Sequence, residues 1–249
     1  MEKTLDKPLI ELRNVGFKAQ ENRIVEDISV KFAEGTATAL AGPSGGGKST
    51  VLKLAAGILV PDRGEVRYRD QNIAAFTRGQ NLDFRKETAV VFQDSALWAN
   101  QTLYQILELP LNIHYPLMSA KEREQRIREA VSAVGYRRDL AVRPALLSMG
   151  EQKLIGFARA MLCRPAVLFL DEWLESLDDE AARRLLVLAR RFKSEGSTLV
   201  FISHDFDLVS DLSDRVIMIT GGKISANVTR EELIRNKNVA GLIEEGMNE

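Results

Sequence analysis

The sequence is poor in the side chains that form disulfides and zinc sites. It contains one cysteine, Cys163, and two histidines, His114 and His204, in 249 residues. A lone cysteine forms no disulfide within the chain, and a zinc centre built from cysteine and histidine ligands is not expected. The composition therefore favours a reducing, cytoplasmic environment.

Long apolar runs and an excess of one charge are also lacking. No run of about 18 consecutive apolar residues occurs, and the segment from Met1 to Asp6 lacks the apolar centre of a signal peptide. We therefore expect no membrane span in this chain. The net charge of −1 and the pI near 6.2 provide no overall basic field, so no nucleic-acid partner is expected.

The strongest positive pattern is a phosphate-binding loop of the form G-x-x-x-x-G-K-[ST]. A strand-like segment, Thr36 to Ala41, precedes it and a helical segment, Val51 to Ala56, follows it, as this motif requires. Glycines let backbone N–H groups converge on an anion, and the helix start adds its dipole. The nucleotide-binding residues predicted from the loop are Gly42, Pro43, Ser44, Gly45, Gly46, Gly47, Lys48, Ser49 and Thr50.

Three side chains of this loop have predicted roles toward a triphosphate. Lys48 reaches the β- and γ-phosphates, Ser49 ligates Mg²⁺, and Thr50 supports the α-phosphate. The alternative is a glycine-rich turn before a helix, and the flanking strand and helix argue against it.

Two carboxylates follow a continuous apolar run. Ala166 to Leu170 has the composition of a strand buried on both faces, and Asp171 and Glu172 come directly after it. Ligands bind at the carboxyl ends of strands in open α/β sheets. We expect Asp171 to join the Mg²⁺ shell and Glu172 to orient or deprotonate the attacking water. The alternative, that both are acidic residues at a helix start, is weakened because Asp178 to Glu180 already opens the next helix.

Two further strand ends carry candidate site residues. His204 follows Thr198 to Ser203 and is predicted to bond the γ-phosphate; a structural histidine is the alternative. Gln93 follows Thr88 to Phe92, where its amide can either cap the strand end or reach the metal and the water.

Phe17 is a candidate for stacking on adenine. It lies in a strand-like segment from Leu9 that is predicted to pair antiparallel with Ile24 to Phe32. A core position is the alternative for an aromatic residue on a strand. A solvated connection is expected between the later strand at Glu65 to Arg69 and the strand at Thr88.

From Asp94 to Leu162 the pattern is helical. Thr102 is predicted to cap a helix that Pro110 stops. Ser148 and Glu151 form a capping box, whose helix start is able to receive an anion; alternatively, Ser148 serves only its own helix.

Together these motifs resemble the ATP-binding cassette ATPases over nearly the whole chain. The motifs, in order, are Phe17, Gly42 to Thr50, Gln93, Leu147 to Glu151, Leu168 to Glu172, Ser176 to Asp178, and His204. The resemblance implies an α/β fold: a P-loop NTPase with a RecA-like core, an antiparallel β-subdomain and an inserted α-helical subdomain. The implied boundaries of this single nucleotide-binding domain, 1–249, are a core at 1–93 and 163–228, a helical subdomain at 94–162 and a C-terminal helix at 229–249.

The resemblance also implies ATP hydrolysis by a homodimer or a paired cassette, with ATP and Mg²⁺ as cofactors. Two cassettes pack head to tail, so that Ser148, Gly150 and Glu151 of one copy close on the nucleotide held by Lys48 of the other. Asp178 lies at the seam between the copies. The implied metal ligands are Ser49, Gln93 and Asp171, and the implied catalytic residues are Glu172, His204, Gln93 and Lys48.

The implied role is the motor subunit of an ABC transporter, peripheral on the inner, cytoplasmic face of the cell membrane. It would drive substrate movement through a separate integral-membrane permease, and a substrate-binding protein is a further partner that the resemblance allows. Leu97, Trp98, Leu103 and Tyr104 are expected to receive the permease's coupling helix. Glu108 to Leu111 resembles motors of lipoprotein-release and phospholipid-trafficking (MCE-associated) systems, which suggests a lipid or lipoprotein substrate.

Two other functions remain as alternatives. One is a soluble, non-transport cassette such as an iron–sulphur cluster assembly factor. The other, a P-loop kinase, is disfavoured because it leaves Ser148 and His204 without a role.

The chain departs from the family pattern at four places. Met149 replaces a glycine, Glu151 a glutamine, and Gly46 a serine or alanine; Trp173 to Glu175 replaces a Pro-Thr-Ser/Ala-Gly approach to the seam. The serine and the second glycine are kept, so activity is expected. Gly46 is expected to loosen the loop, and the segment at Trp173 to Glu175 is expected to differ in geometry.

Overall fold

The computed structural model of this protein describes residues 8–248, and the prediction for Met1 to Asp6 lies outside them. The elements in chain order are β1 Pro8–Ala19, β2 Asn22–Ala33, β3 Ala37–Ala41, α1 Lys48–Ala55, β4 Arg63–Tyr68, β5 Gln71–Asn72, α2 Arg78–Glu87, β6 Thr88–Val91, α3 Leu103–His114, α4 Ala120–Ala133, α5 Met149–Met161, β7 Val167–Asp171, α6 Asp179–Ser194, β8 Thr198–Ile202, α7 Phe206–Leu212, β9 Arg215–Thr220, β10 Lys223–Thr229, α8 Arg230–Arg235 and α9 Lys237–Asn248. Short 3₁₀ turns occupy Ile73–Ala75 and Pro144–Leu146. In this described part of the chain, no helix is both long enough and apolar enough to cross a membrane.

The chain divides into two compact units. The first combines the residues up to Asn81 with those from Gly196 onward, and the second is Leu82–Glu195. The predicted phosphate loop and His204 lie in the first unit, and the predicted carboxylates Asp171 and Glu172 lie in the second.

The first unit contains an antiparallel sheet and strands of a mixed, mainly parallel sheet. In the antiparallel sheet, β1 pairs with β2 and with β4, and β4 pairs with β5. This confirms the predicted pairing of the first two strands. In the other sheet, β3 lies between β8 and β9 and is parallel to both, while β10 pairs antiparallel with β9. All five residues of β3 and of β8 are buried, as their unbroken small and apolar sequences predict.

The second unit combines the parallel pair β6 and β7 with helices. Thr88 faces Val167 in register, and all five residues of β7 are buried. The helices α3, α4 and α5 pack on one another through buried apolar side chains, among them Leu103, Ile127 and Ile155.

One expectation about this chain's helices is wrong, and one helix was not predicted. The connection between β4 and β6 is largely solvated, as expected, but it contains the helix α2, whose only buried residue is Phe84, so no apolar stripe marks it in the sequence. Pro110 does not stop its helix: α3 continues to His114 and ends with Tyr115 N donating to Leu111 O at 2.8 Å. Burial of Leu111 in that extra turn outweighs the hydrogen bond that proline cannot donate.

The predicted C-terminal helix is two helices. Asn236 lies between α8 and α9, and its backbone is extended, with φ −119° and ψ 98°. Its side-chain oxygen accepts a hydrogen bond from Asn238 N at 3.1 Å, so the asparagine starts the second helix rather than continuing the first.

Candidate nucleotide and catalytic site

The phosphate loop folds tightly against its own unit. Gly42 has φ 130°, and a Cβ there would lie 2.2 Å from the carbonyl oxygen of Ile219 on β9. Gly47 has φ 102°, and its Cβ would lie 2.9 Å from Ile24 O on β2. Glycine is therefore the residue that fits at both ends of the loop.

The middle of the loop is also held by backbone contacts. Gly46 N donates to Pro43 O at 3.1 Å, and Gly222 N donates to Gly46 O at 3.0 Å. A Cβ at Gly46 would lie 2.7 Å from Ile219 O. The expectation that glycine loosens the loop here is wrong, because Gly46 is pinned and has no room for a side chain.

Lys48 brings a positive charge into the curl of this loop. The residue is 5% exposed, and its Nζ donates to Gly42 O and to Pro43 O, each at 2.7 Å. The helix α1 begins at this lysine, so the positive end of its dipole lies at the loop. Ser44 and Gly45 are exposed, and a Cβ at Gly45 would meet nothing within 4 Å. The loop is thus a cationic hollow with an open side, which suits a phosphate group.

Phe17 lies beside this loop rather than in the core. It is half-buried and pairs across the strands with Val25, whose Cγ2 lies 3.8 Å from the Cβ position of Gly47. Both line a cavity of about 780 Å³, together with cationic side chains such as Lys18 and Arg23. An aromatic ring next to a phosphate loop is an arrangement that suits a nucleotide base.

His204 shares the sheet edge of the loop. Since β3 and β8 are parallel and in register from Ala37 with Leu199, the loop after β3 and His204 after β8 leave the sheet at the same end. The histidine is exposed there. The first unit therefore holds the loop, Phe17 and His204.

The second unit holds the carboxylates. Asp171 ends β7 and is 2% exposed. Glu172 follows with φ 45° and is half-buried. Gln93, after β6, donates a hydrogen bond from Nε2 to Glu172 Oε2, and the same nitrogen lies 3.5 Å from Glu175 Oε2. Gln93 thus contacts the candidate water-activating carboxylate.

Arg159 fixes the chain that follows Gln93. Its guanidinium donates to Ala96 O at 2.7 Å and Ser95 O at 3.1 Å, and lies over the ring of Trp98. Burial lowers the pKa of this arginine. Sequence reasoning did not identify Arg159; the available signal was a charged residue among the small and apolar residues in the last turns of α5.

The capping box at the start of α5 forms as predicted. Glu151 N donates to Ser148 Oγ at 3.2 Å, and Ser148 N donates to Glu151 Oε2 at 2.9 Å. The hydrogen bond from Ser148 N, reinforced by Arg138, lowers the pKa of Glu151. Ser148 is exposed, and so is Met149.

This helix start packs on the segment that leads to Asp178. A Cβ at Gly150 would lie 2.9 Å from Ser176 O, and Asp178 caps α6 by accepting from Ala181 N at 2.8 Å. The residues expected at the dimer seam therefore occupy one exposed corner of the second unit.

The burial of two residues next to the carboxylates, Trp173 and Lys153, was not predicted from the sequence. Trp173 is 1% exposed and stacks on Phe157, with ring centroids 5.7 Å apart. Its indole Nε1 has no hydrogen-bond partner among the described residues. Lys153 is 2% exposed and donates to the carbonyl oxygen of Glu172. The departure at Trp173 is thus a core residue that supports the turn.

The predicted surface for a permease helix is smaller than expected. Trp98 is 47% exposed, but Leu103 is fully buried in the helical core and is not available to a partner. Leu97 and Tyr104 are half-buried.

The comparisons with known proteins agree with one another. A family model described as ABC transporter matches residues 25–175. The chain is 31% identical over 219 residues to the methionine import ATP-binding protein MetN of Brucella abortus, covering 88% of this chain but 59% of that protein. It is 30% identical over 240 residues to the intermembrane phospholipid transport system ATP-binding protein MlaF of Haemophilus influenzae, covering 94% of this chain and 89% of that one.

Among solved structures, the chain is similar to the dimeric ATP-binding cassette MJ0796 in a post-hydrolysis state bound to ADP and Pi. The TM-score is 0.81 at 26% identity, over 89% of this chain and 98% of that one. The fold predicted from the motifs, a P-loop NTPase of the cassette type, is confirmed. The chain belongs to the ABC transporter family.

Proposed function

We propose that this protein binds and hydrolyses ATP as the motor subunit of an ABC transporter. The observation that carries the proposal is that the chain holds both a cationic phosphate loop, in the first unit, and Glu172, in the second, a carboxylate hydrogen-bonded to Gln93 at the end of a buried strand. In this proposal Lys48 and the loop N–H groups bind the phosphates, and Phe17 contacts the base. Glu172 takes up the proton of the attacking water, Gln93 orients that carboxylate and contacts the metal, and His204 holds the γ-phosphate.

Mg²⁺ is the metal that suits the proposed ligands. Ser49, Gln93 and Asp171 offer only oxygen donors, which magnesium prefers. Across residues 8–248 no cluster of three or more His, Cys, Asp or Glu side chains is arranged to hold a metal ion. Magnesium in nucleotide sites is commonly held by one or two carboxylates together with the substrate phosphates. When bound, the ion would neutralise charge that develops on the phosphates.

The active unit is a head-to-tail pair of cassettes. The exposed corner formed by Ser148, Gly150 and Asp178 offers a capped helix start to a neighbour's nucleotide, with Glu151 fixed behind it. The dimeric state of the MJ0796 cassette supports this arrangement.

The partner in the membrane is a separate permease, and the protein works at its cytoplasmic side. Trp98, exposed and stacked under Arg159, provides one apolar contact for it. A substrate-binding protein completes the system where the transporter is an importer. The alternative of a soluble cluster-assembly cassette is not favoured, because the relatives named above are transport proteins.

A lipid is the substrate class that we favour. The phospholipid-transport relative matches along nearly its whole length, whereas the methionine-import relative extends well beyond the matched region. Copurification from detergent-solubilised membranes tests both the permease partner and the lipid substrate. A permease that carries bound phospholipid supports the proposal, and a wholly soluble complex would overturn it.

The test of the chemistry compares three variants for ATP turnover and ATP binding. Glu172→Gln is expected to lower kcat by about 10²–10⁴-fold while binding persists, because only the proton acceptor is lost. Lys48→Ala is expected to lose binding. Glu195→Gln, an exposed glutamate at the end of α6, is the matched control and should behave as the parent. Hydrolysis by Glu172→Gln at the parent rate would refute the assignment.

A further inference from the structure

Lys153 binds the peptide group that sets the direction of Glu172. Its buried ammonium donates to Glu172 O, and the N–H of Glu175 points at the same carbonyl at 3.4 Å. Glu172 has φ 45°, a conformation that non-glycine residues rarely adopt without support. The hydrogen bond from Lys153 therefore stabilises the turn that contains Glu172, the candidate catalytic carboxylate.

The surroundings of this lysine are acidic. Burial lowers the pKa of Lys153, and the carboxylates of Glu175, Glu172, Asp171 and Asp94 act in the opposite direction. Glu175 is one of the departures from the family pattern. Its carboxylate competes with Glu172 for Gln93, since Nε2 of that glutamine bonds to Glu172 and lies 3.5 Å from Glu175. A second carboxylate at this place requires a compensating cation.

We propose that Lys153 is a positioning residue for Glu172. It holds the peptide of Glu172 in the left-handed turn and offsets the charge of Glu175, so that Gln93 stays bound to Glu172. This inference rests on the proposed ATPase function. Lys153 acts through Glu172 and the turn, because its ammonium is directed at that backbone carbonyl.

The experiment compares Lys153→Met, which removes the donor and the charge, with Lys153→Gln, which keeps an N–H donor. We expect kcat of Lys153→Met to fall about 10–100-fold while the KM for ATP changes less than about twofold, because binding is left to the phosphate loop. Lys153→Gln should lie between Lys153→Met and the parent. Adding Glu175→Gln to Lys153→Met should recover part of kcat, since the extra carboxylate no longer needs a cation.

A second measurement does not depend on turnover. Amide hydrogen exchange of the peptide covering residues 172–176 should be faster in Lys153→Met, with the phosphate-loop peptide unchanged. Where Lys153→Met fails to fold, Lys153→Gln decides the question by the same two measurements.

The two possible failures are distinguishable. Glu172→Gln in the same assay reports on the proposed function, and full activity of that variant would remove the proposed chemistry. A folded Lys153→Met with the parent kcat, or with a raised KM and unchanged kcat, beside an inactive Glu172→Gln would overturn only the role given to Lys153.

Discussion

The phosphate loop and the carboxylate corner, defined as residues 171–178 with Lys153 and Phe157, are built in opposite ways. The loop is shaped by backbone: Gly42, Gly46 and Gly47 leave no room for a Cβ, and Lys48 bonds to loop carbonyls. The corner is shaped by side chains, because Trp173 packs on Phe157 and Lys153 bonds to the turn.

The difference shows where a sequence motif is informative. A backbone-built site needs glycine at fixed spacing, so its pattern is visible in one sequence. A side-chain-built site can be supported by different residues: Trp173 packs under this one where the family pattern has another residue, and Lys153 bonds to its turn.

The largest effect on stability is expected from Trp173→Ala. Removing this buried indole should lower the free energy of unfolding by about 3–5 kcal/mol, because its stacking on Phe157 is lost and a cavity remains. Urea denaturation measures the change. Trp173→Phe keeps a ring and removes the unbonded Nε1, so it should cost less than about 1.5 kcal/mol. Equal losses for the two variants would contradict the packing role.

Gly42→Ala tests the backbone-built loop. The added Cβ meets Ile219 O, and φ is positive, so we expect a loss of about 2–3 kcal/mol together with weaker ATP binding. Gly79→Ala on α2 is the control, since nothing lies within 4 Å of its Cβ position and alanine favours a helix by about 0.5–1 kcal/mol. A neutral Gly42→Ala would show that the loop has more room than described.

Ser148→Ala separates capping from function at the start of α5. Loss of the cap should cost about 1 kcal/mol in thermal or urea unfolding. Ser119→Ala removes the same kind of capping box from α4 and should cost about as much. Only Ser148→Ala should also lower ATP turnover. If both variants kept the parent turnover, Ser148 would serve its own helix alone.

The smallest effect is the pH dependence of Glu151. Its pKa is lowered in the folded protein, first by the hydrogen bond from Ser148 N, so its stabilising contribution is present above its usual value of 4.5 and is lost as pH falls through the lower folded value. Unfolding of Glu151→Gln and the parent should therefore differ at pH 7 and converge at acidic pH. A difference that persists unchanged below pH 3 would contradict the assigned cause.

The sequence predicted most of the strands and the loop because their signals are local. Buried β3, β7 and β8 read as unbroken small or apolar runs, and the capping box at Ser148 forms as the motif indicates. The effect of Pro110 was wrongly predicted because packing against distant residues, and not local propensity, decides whether α3 continues past it. The helix α2 was missed because it has no apolar stripe.

The corner was only half predicted for a related reason. The spacing of Asp171, Glu172 and Asp178 is local and was recognised. The contacts Lys153–Glu172, Trp173–Phe157 and Arg159–Ala96 join residues far apart in the chain, and single-sequence periodicity carries no information about such pairs.

The central claim is that a nucleotide held by the phosphate loop of one copy is closed by the helix start at Ser148 and Gly150, beside Asp178, of another copy. Sedimentation of Glu172→Gln with ATP and Mg²⁺ tests it directly. The 27.8 kDa chain should double its mass with ATP, and return to the monomer mass when ADP replaces ATP or when Lys48→Ala is added. A species that stays at the monomer mass with saturating ATP would contradict the account.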